Sequence, residues 1–179
     1  MPTTVQVLDK EFKPYLEKED IQKAIERIAN AINADFENTH PLFIAILNGS
    51  FMFASDLFKS INIPAEICFI KLASYKGTQS TGQVITAIGL DRDIYQRDVI
   101  IIEDIVDTGK TLTEFLPQLQ HQQPKSLRVC SLLHKKDATV YPIQIDYLGF
   151  EIPDLFVVGY GLDYNGYGRN LNRIMQLSN

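Results

Sequence analysis

The residues best suited to chemistry fall in one run, Arg97 to Leu116, which reads RDVIIIEDIVDTGKTLTEFL. Glu103 and Asp104 are adjacent carboxylates, and two such groups repel unless a cation or a set of hydroxyls shares them. Asp107, Thr108, Gly109, Lys110 and Thr111 follow as a short polar loop. Leu112, Phe115, Leu116 and Leu119 then recur at helical spacing. A loop that opens a helix presents backbone N–H groups with no partner inside the helix. The helix dipole adds to their positive field, so phosphate binds there without a charged side chain. A sugar diol with Mg2+ would satisfy the acid pair. The spacing therefore describes a ligand with a phosphate at one end and a ribose beside it. Gly109-Lys110-Thr111 is not a P-loop, because that motif needs a glycine five positions before Gly109, where the chain has Asp104.

These residues need elements to hold them. Val99, Ile100, Ile101 and Ile102 form an unbroken β-branched run, the pattern of a parallel strand covered on both faces, and the acid pair is expected at its end. A helix follows over 111–120, which Pro117 is expected to kink or end early. The same strand, loop and helix order occurs earlier, with Leu42 to Leu47, Asn48-Gly49-Ser50 and Phe51 to Lys59. Ile21, Ala24, Ile25, Ile28, Ala29 and Ile32 mark an amphipathic helix from Glu19 to Phe36. Further strands are expected over 66–72, 84–90, 126–133, 147–150 and 155–158, with an edge strand containing Val5, Val7 and Phe12. Such alternation means an α/β fold with a mainly parallel sheet, and ligands of such sheets bind outside the carboxyl ends of the strands. Ser74 to Gln83 is polar, carries Gly77 and Gly82, and is long for a connector, as lids often are.

Composition sets the bounds. A chain of 179 residues, 45% of them hydrophobic, is the size of one compact domain. Its formal net charge of −5, with acids and bases interspersed, argues against a general nucleic-acid surface. Cys68 and Cys130 lie in apolar runs and read as buried free thiols. No run is long enough to span a membrane and no leader pattern opens the chain, so we expect a cytoplasmic protein.

IIIEDIVDTGKTL resembles the phosphoribosyl-pyrophosphate signature of the type I phosphoribosyltransferases. LNGSFMFASDL (47–57), SYKGTQSTG (74–82), SLLHKK (131–136) and GFEIPDLFVVGYGLDYNGYGRNL (149–171) resemble further motifs of the purine-salvage members, in the same order. Together they cover most of the chain from about residue 40 to 171. The resemblance implies the type I phosphoribosyltransferase fold, a mainly parallel central sheet flanked by helices in a single domain over 1–179. A small hood would be built from the chain ends, about 1–15 and 140–179. It also implies transfer of the 5-phosphoribosyl group from phosphoribosyl pyrophosphate to hypoxanthine or guanine, Mg2+ as cofactor, and a homodimer or homotetramer.

It further implies roles for single residues. Asp107 exchanges a proton with the purine, and 107–111 cradles the 5′-phosphate. Glu103 and Asp104 steer the ribose hydroxyls and Mg2+. Lys135 donates to the exocyclic oxygen of a 6-oxopurine, Phe156 stacks on the base, and the Val157 backbone meets its polar edge. Asp163 neighbours the purine 2-position and assists a second Mg2+. Asn48 and Gly49, across a cis peptide between Leu47 and Asn48, bind pyrophosphate through backbone N–H groups, and Arg169 joins them. Ser74 and Tyr75 open a lid. Many members carry Lys or Arg where this chain has Asn48, which removes a charged contact and leaves the backbone one. His40, His121 and His134 are bystanders.

Two other readings compete. RNA-binding regulators that share this architecture need a basic surface stripe, which this acidic chain lacks in sequence. A phospho-accepting receiver domain also uses an acid pair and a later lysine, but its second acid sits on a later strand.

Overall fold

The computed structural model describes residues 4–76 and 83–178, with backbone alone at 74–76 and 83–87. Its main sheet has six strands, in the spatial order β5 (Gln83–Ile88), β4 (Glu66–Lys76), β3 (Leu42–Leu47), β6 (Asp98–Val106), β7 (Ser126–Lys135) and β8 (Tyr147–Ile152). Every pairing is parallel except β4 with β5. The β-branched run is the reason β6 is central. Val99 to Ile102 are all fully buried, and alternation sends successive side chains to opposite faces. Ile100 and Ile102 pack with Phe43, Ala45 and the helices α1 (Lys18–Asp35) and α2 (Phe51–Lys59). Val99 and Ile101 pack with Leu42, Ile44 and the apolar stripe of α3 (Lys110–Gln120), which is Leu112, Phe115 and Leu119. The expected stripe of α1, Ile21 through Ile32, is buried.

A second sheet is antiparallel and small, in the order β1 (Val5–Val7), β2 (Lys10–Leu16), β10 (Ile174–Leu177) and β9 (Val157–Val158). It joins the two chain ends around Val7, Phe12, Val158 and Met175. This hood begins later than the expected residue 140. Tyr147 and Ile152 bury their side chains toward α1, and β8 pairs with β7 from Cys130↔Tyr147 to Lys135↔Ile152, as an edge of the main sheet. Arg27 of α1 fastens that edge by donating to the Leu148 and Gly149 carbonyls at 3.0 and 2.7 Å.

Three further expectations are corrected. β6 does not end at Ile102, because β7 keeps pairing with it to Val106↔His134, so Glu103 and Asp104 lie inside the strand. Pro117 does not end α3. It removes one N–H from the ladder, but the buried stripe holds the helix to Gln120, and the His121 N–H reaches the Pro117 carbonyl at 3.0 Å. Ser74 and Tyr75 belong to β4, paired with Ile85 and Val84, and the rest of the expected lid, 77–82, lies outside the described residues. Cys68 and Cys130 are free and buried, as expected. Among the described residues no helix is long and apolar enough to cross a membrane.

Candidate active site

The turn from β6 into α3 is built on Gly109. Its φ is +82°, a left-handed conformation that favours glycine, and a Cβ there would overlap the Tyr141 carbonyl oxygen. The approach is close because residues 139–141 brace the loop from behind. The Val140 and Tyr141 N–H groups both donate to the Thr108 carbonyl, at 3.1 and 2.9 Å. The Thr139 hydroxyl lies 3.0 Å from the Asp107 carbonyl, the Lys135 carbonyl and His134 Nε2 alike. His134 therefore supports the loop at one remove. The first helical bond runs from Thr113 N–H to the Gly109 carbonyl, 3.0 Å, so the amides of 110–112 precede the ladder. Glu103 and residues 105–112 line a pocket of about 90 Å3, a volume for a small anion and not for a whole nucleotide.

Asp104 belongs to a different part of the site. A Cβ added to Gly49 would overlap its carboxylate, and a Cβ added to Gly161 (φ +101°) would overlap the Gly49 carbonyl oxygen. The Leu47–Asn48 peptide is cis, as the family resemblance implied. Arg169 donates to the Gly161 carbonyl at 2.7 Å and pairs with Asp163 at 2.8 Å, while Asp163 accepts the Gly166 N–H at 2.6 Å. Asn48, Gly49, Asp104, Asp163 and Arg169 thus gather around the carboxyl ends of β3 and β6. The acid doublet is not a single two-toothed clamp, since Glu103 faces the phosphate-sized pocket and Asp104 the glycine loop.

Both carboxyls resist ionisation. Burial raises Glu103 well above the usual range, and the neighbouring Asp104 adds to it. Burial also raises Asp104 to about 6, with Asp163 adding and two backbone hydrogen bonds and Arg169 opposing. A cation would relieve this strain. Among the described residues no three carboxylate, imidazole or thiolate groups converge to cage one alone. Carboxylate oxygens are the donor class that a hard cation such as Mg2+ takes, one or two of them together with oxygens from substrate and water.

The third part of the site centres on Lys135, the last residue of β7. It is 7% exposed, and its ammonium lies 3.2 Å from Asp107 and 3.1 Å from Asp154. Two of its three donors are engaged, which leaves one. Asp154 was not singled out by sequence reasoning, and its one signal is an acid two residues before Phe156. Phe156 precedes β9, is 45% exposed, and meets Tyr164 edge-on at 5.8 Å with Phe12 tilted at 6.1 Å. Val157 is buried in β9.

The raised Asp104 carboxyl predicts a pH signature. Its folded value of about 6 exceeds the ordinary 3.8, so the native state binds the extra proton between these limits and stability falls as pH rises through them. The Tm difference between Asp104→Asn and wild type, both ligand-free, is expected to be more favourable at about pH 7.5 than at about pH 4, where native Asp104 is already neutral. Equal differences at both values would contradict this.

Comparison with known proteins agrees with this geometry. Residues 13–165 match the family model for the phosphoribosyl transferase domain. A hypoxanthine-guanine phosphoribosyltransferase of Mycobacterium tuberculosis is 42% identical over 166 residues, spanning 89% of this chain and 82% of that protein. The hypoxanthine-guanine phosphoribosyltransferase of Bacillus subtilis is 38% identical over 160 residues, spanning 89% of each chain. A solved hypoxanthine phosphoribosyltransferase from Staphylococcus aureus superposes with a TM-score of 0.86 at 40% identity, covering 93% of this chain and 91% of that one. The motifs, the sheet order and these likenesses converge, and the chain belongs to the hypoxanthine-guanine phosphoribosyltransferase family of the type I phosphoribosyltransferases.

Proposed function

We propose that this enzyme transfers the 5-phosphoribosyl group of phosphoribosyl pyrophosphate to a ring nitrogen of hypoxanthine or guanine, forming the nucleoside monophosphate and releasing pyrophosphate. One observation carries the reading. Asp107 opens the loop around the phosphate-sized pocket and is also ion-paired to buried Lys135, so phosphate and base would sit on two sides of one carboxylate.

The 5′-phosphate lies against Thr108, Gly109, Lys110 and Thr111 at the start of α3, where the dipole and the leading amides favour an anion. Glu103 takes a ribose hydroxyl from the phosphate side, and Asp104 takes the other from the side of Gly49. The amides of Asn48 and Gly49 receive pyrophosphate, joined by the guanidinium donors of Arg169 that Asp163 and Gly161 do not use. Lys135 gives its remaining donor to the exocyclic oxygen. An ammonium donates and cannot accept, so it favours an oxo over an amino purine. Phe156 stacks on the base, a contact of about 1–3 kcal/mol. The Val157 main chain and Asp163 meet the edge of the purine at its 2-position. From their place near the end of β4, Ser74 and Tyr75 lead toward the lid that excludes water from the reacting sugar. Mg2+ arriving with the donor would be met by Glu103 or Asp104 and a second Mg2+ by Asp163, and when bound it supplies neutralising charge for the leaving pyrophosphate.

The bond from C1 to the pyrophosphate oxygen breaks ahead of the new C1–N bond, and its electron pair leaves with pyrophosphate. Positive charge then develops on the sugar, so positioning and electrostatics do most of the work. The purine ring nitrogen supplies the electron pair of the new bond, and Asp107 takes the proton that the ring loses. The enzyme works in the cytoplasm, in keeping with its free cysteines, as a homodimer or homotetramer.

A spectrophotometric assay with hypoxanthine, Mg2+ and phosphoribosyl pyrophosphate is expected to show turnover. RNA retention without turnover would instead favour the regulatory reading. Asp107→Asn is expected to lower kcat by roughly 100-fold or more. Near-normal turnover in that variant would remove the carboxylate from proton transfer.

A further inference from the structure

Tyr160 sits outside every role given above, yet its geometry is unusual. It is 4% exposed and holds a φ of +50°, which is rare for a bulky side chain. Such conformations persist where the surroundings over-determine them, and they cluster at functional sites. Three contacts determine this one. Its N–H donates to the Leu171 carbonyl at 2.8 Å, its ring packs in the core with α1 and α2, and its hydroxyl donates to Asp56 of α2 at 2.5 Å. Asp56 also pairs with Lys59. Burial, followed by the Asp56 hydrogen bond, raises the Tyr160 hydroxyl above its ordinary range, so it stays a donor.

These contacts close a ring. The glycine loop at 48–49 leads into α2, α2 carries Asp56, Asp56 holds Tyr160, and the next residue, Gly161, packs on the Gly49 carbonyl. The Gly161 carbonyl in turn accepts from Arg169. One tyrosine therefore anchors both the loop and the guanidinium that the proposed function assigns to pyrophosphate.

We infer that Tyr160, latched to Asp56, is a positioning residue for the pyrophosphate end of the site, and that it acts on that end and not on the nucleotide end. The inference rests on the function proposed above. The latch ties the segment after β9 to α2, the helix that the glycine loop leads into, so it sets the spacing between Gly49 and Arg169. The 5′-phosphate loop has its own brace at 139–141 and is independent of it.

The test is calorimetric binding to Tyr160→Phe, which keeps the ring and leaves Asp56 paired with Lys59. Inorganic pyrophosphate with Mg2+ is expected to bind at least about 10-fold more weakly, the low end of what losing a hydrogen bond to a charged group costs, while inosine monophosphate binds within about twofold of wild type. Asp56→Ala should reproduce this split, Asp56→Asn, which still accepts from the hydroxyl, should largely rescue it, and the double variant Tyr160→Phe/Asp56→Ala should be no worse than either alone. Equal weakening of both ligands, no weakening of pyrophosphate, or additive losses in the double variant would overturn the latch. Wild-type turnover separates the two levels. Turnover with an unaffected Tyr160→Phe sinks the latch alone, whereas a wild type without turnover or pyrophosphate binding sinks the functional reading and the latch with it.

Discussion

One buried and one partly buried carboxylate, side by side toward the carboxyl end of a central parallel strand, are the constraint from which the site follows. Glu103 and Asp104 lie on β6 because the strand continues past its apolar run, and burial there makes their charge costly. A fold gains nothing in stability from such a pair. Its presence makes sense when a ligand with hydroxyls, or a cation travelling with one, completes the environment. The surrounding features supply the rest of that environment. The start of α3 lies on one side of the strand end, and Gly49, Asp163 and Arg169 lie on the other.

The parts that hold the site are themselves held by backbone contacts. At Gly109 and Gly161 the chain comes so close to a neighbouring carbonyl oxygen that no side chain fits, and Gly49 lies against the Asp104 carboxylate. Each of these glycines joins two elements that are far apart in sequence. Loop 107–109 rests on 139–141, and the glycine loop rests on the hood. The site is therefore assembled from segments whose spacing is set by main-chain packing, with the charged side chains placed on top of it.

Much of this was legible before folding was considered. The β-branched run 99–102 and the stripe Ile21 to Ile32 announced buried elements, because a long apolar pattern has few alternatives. The end of β6 was not legible, since whether a strand continues through Glu103 and Asp104 depends on pairing with β7, a partner far along the chain. Pro117 misled for a similar reason, as the buried face of α3 outweighs one lost hydrogen bond. Asp154 offered only its place two residues before Phe156, and Thr139, Asp56 and Tyr160 gave no local signal of a role. Their importance lies in what they touch, and Asp56 meets Tyr160 across more than half the chain.

The central claim is that the opening of α3 receives the 5-phosphate of a sugar whose hydroxyls face the acid doublet. A crystal structure of the enzyme with inosine monophosphate addresses it most directly. The account predicts the phosphate within hydrogen-bond distance of Thr108, Thr111 and the amides between them, with the ribose turned toward Glu103 and Asp104. A phosphate bound away from Thr108 and Thr111 would contradict it.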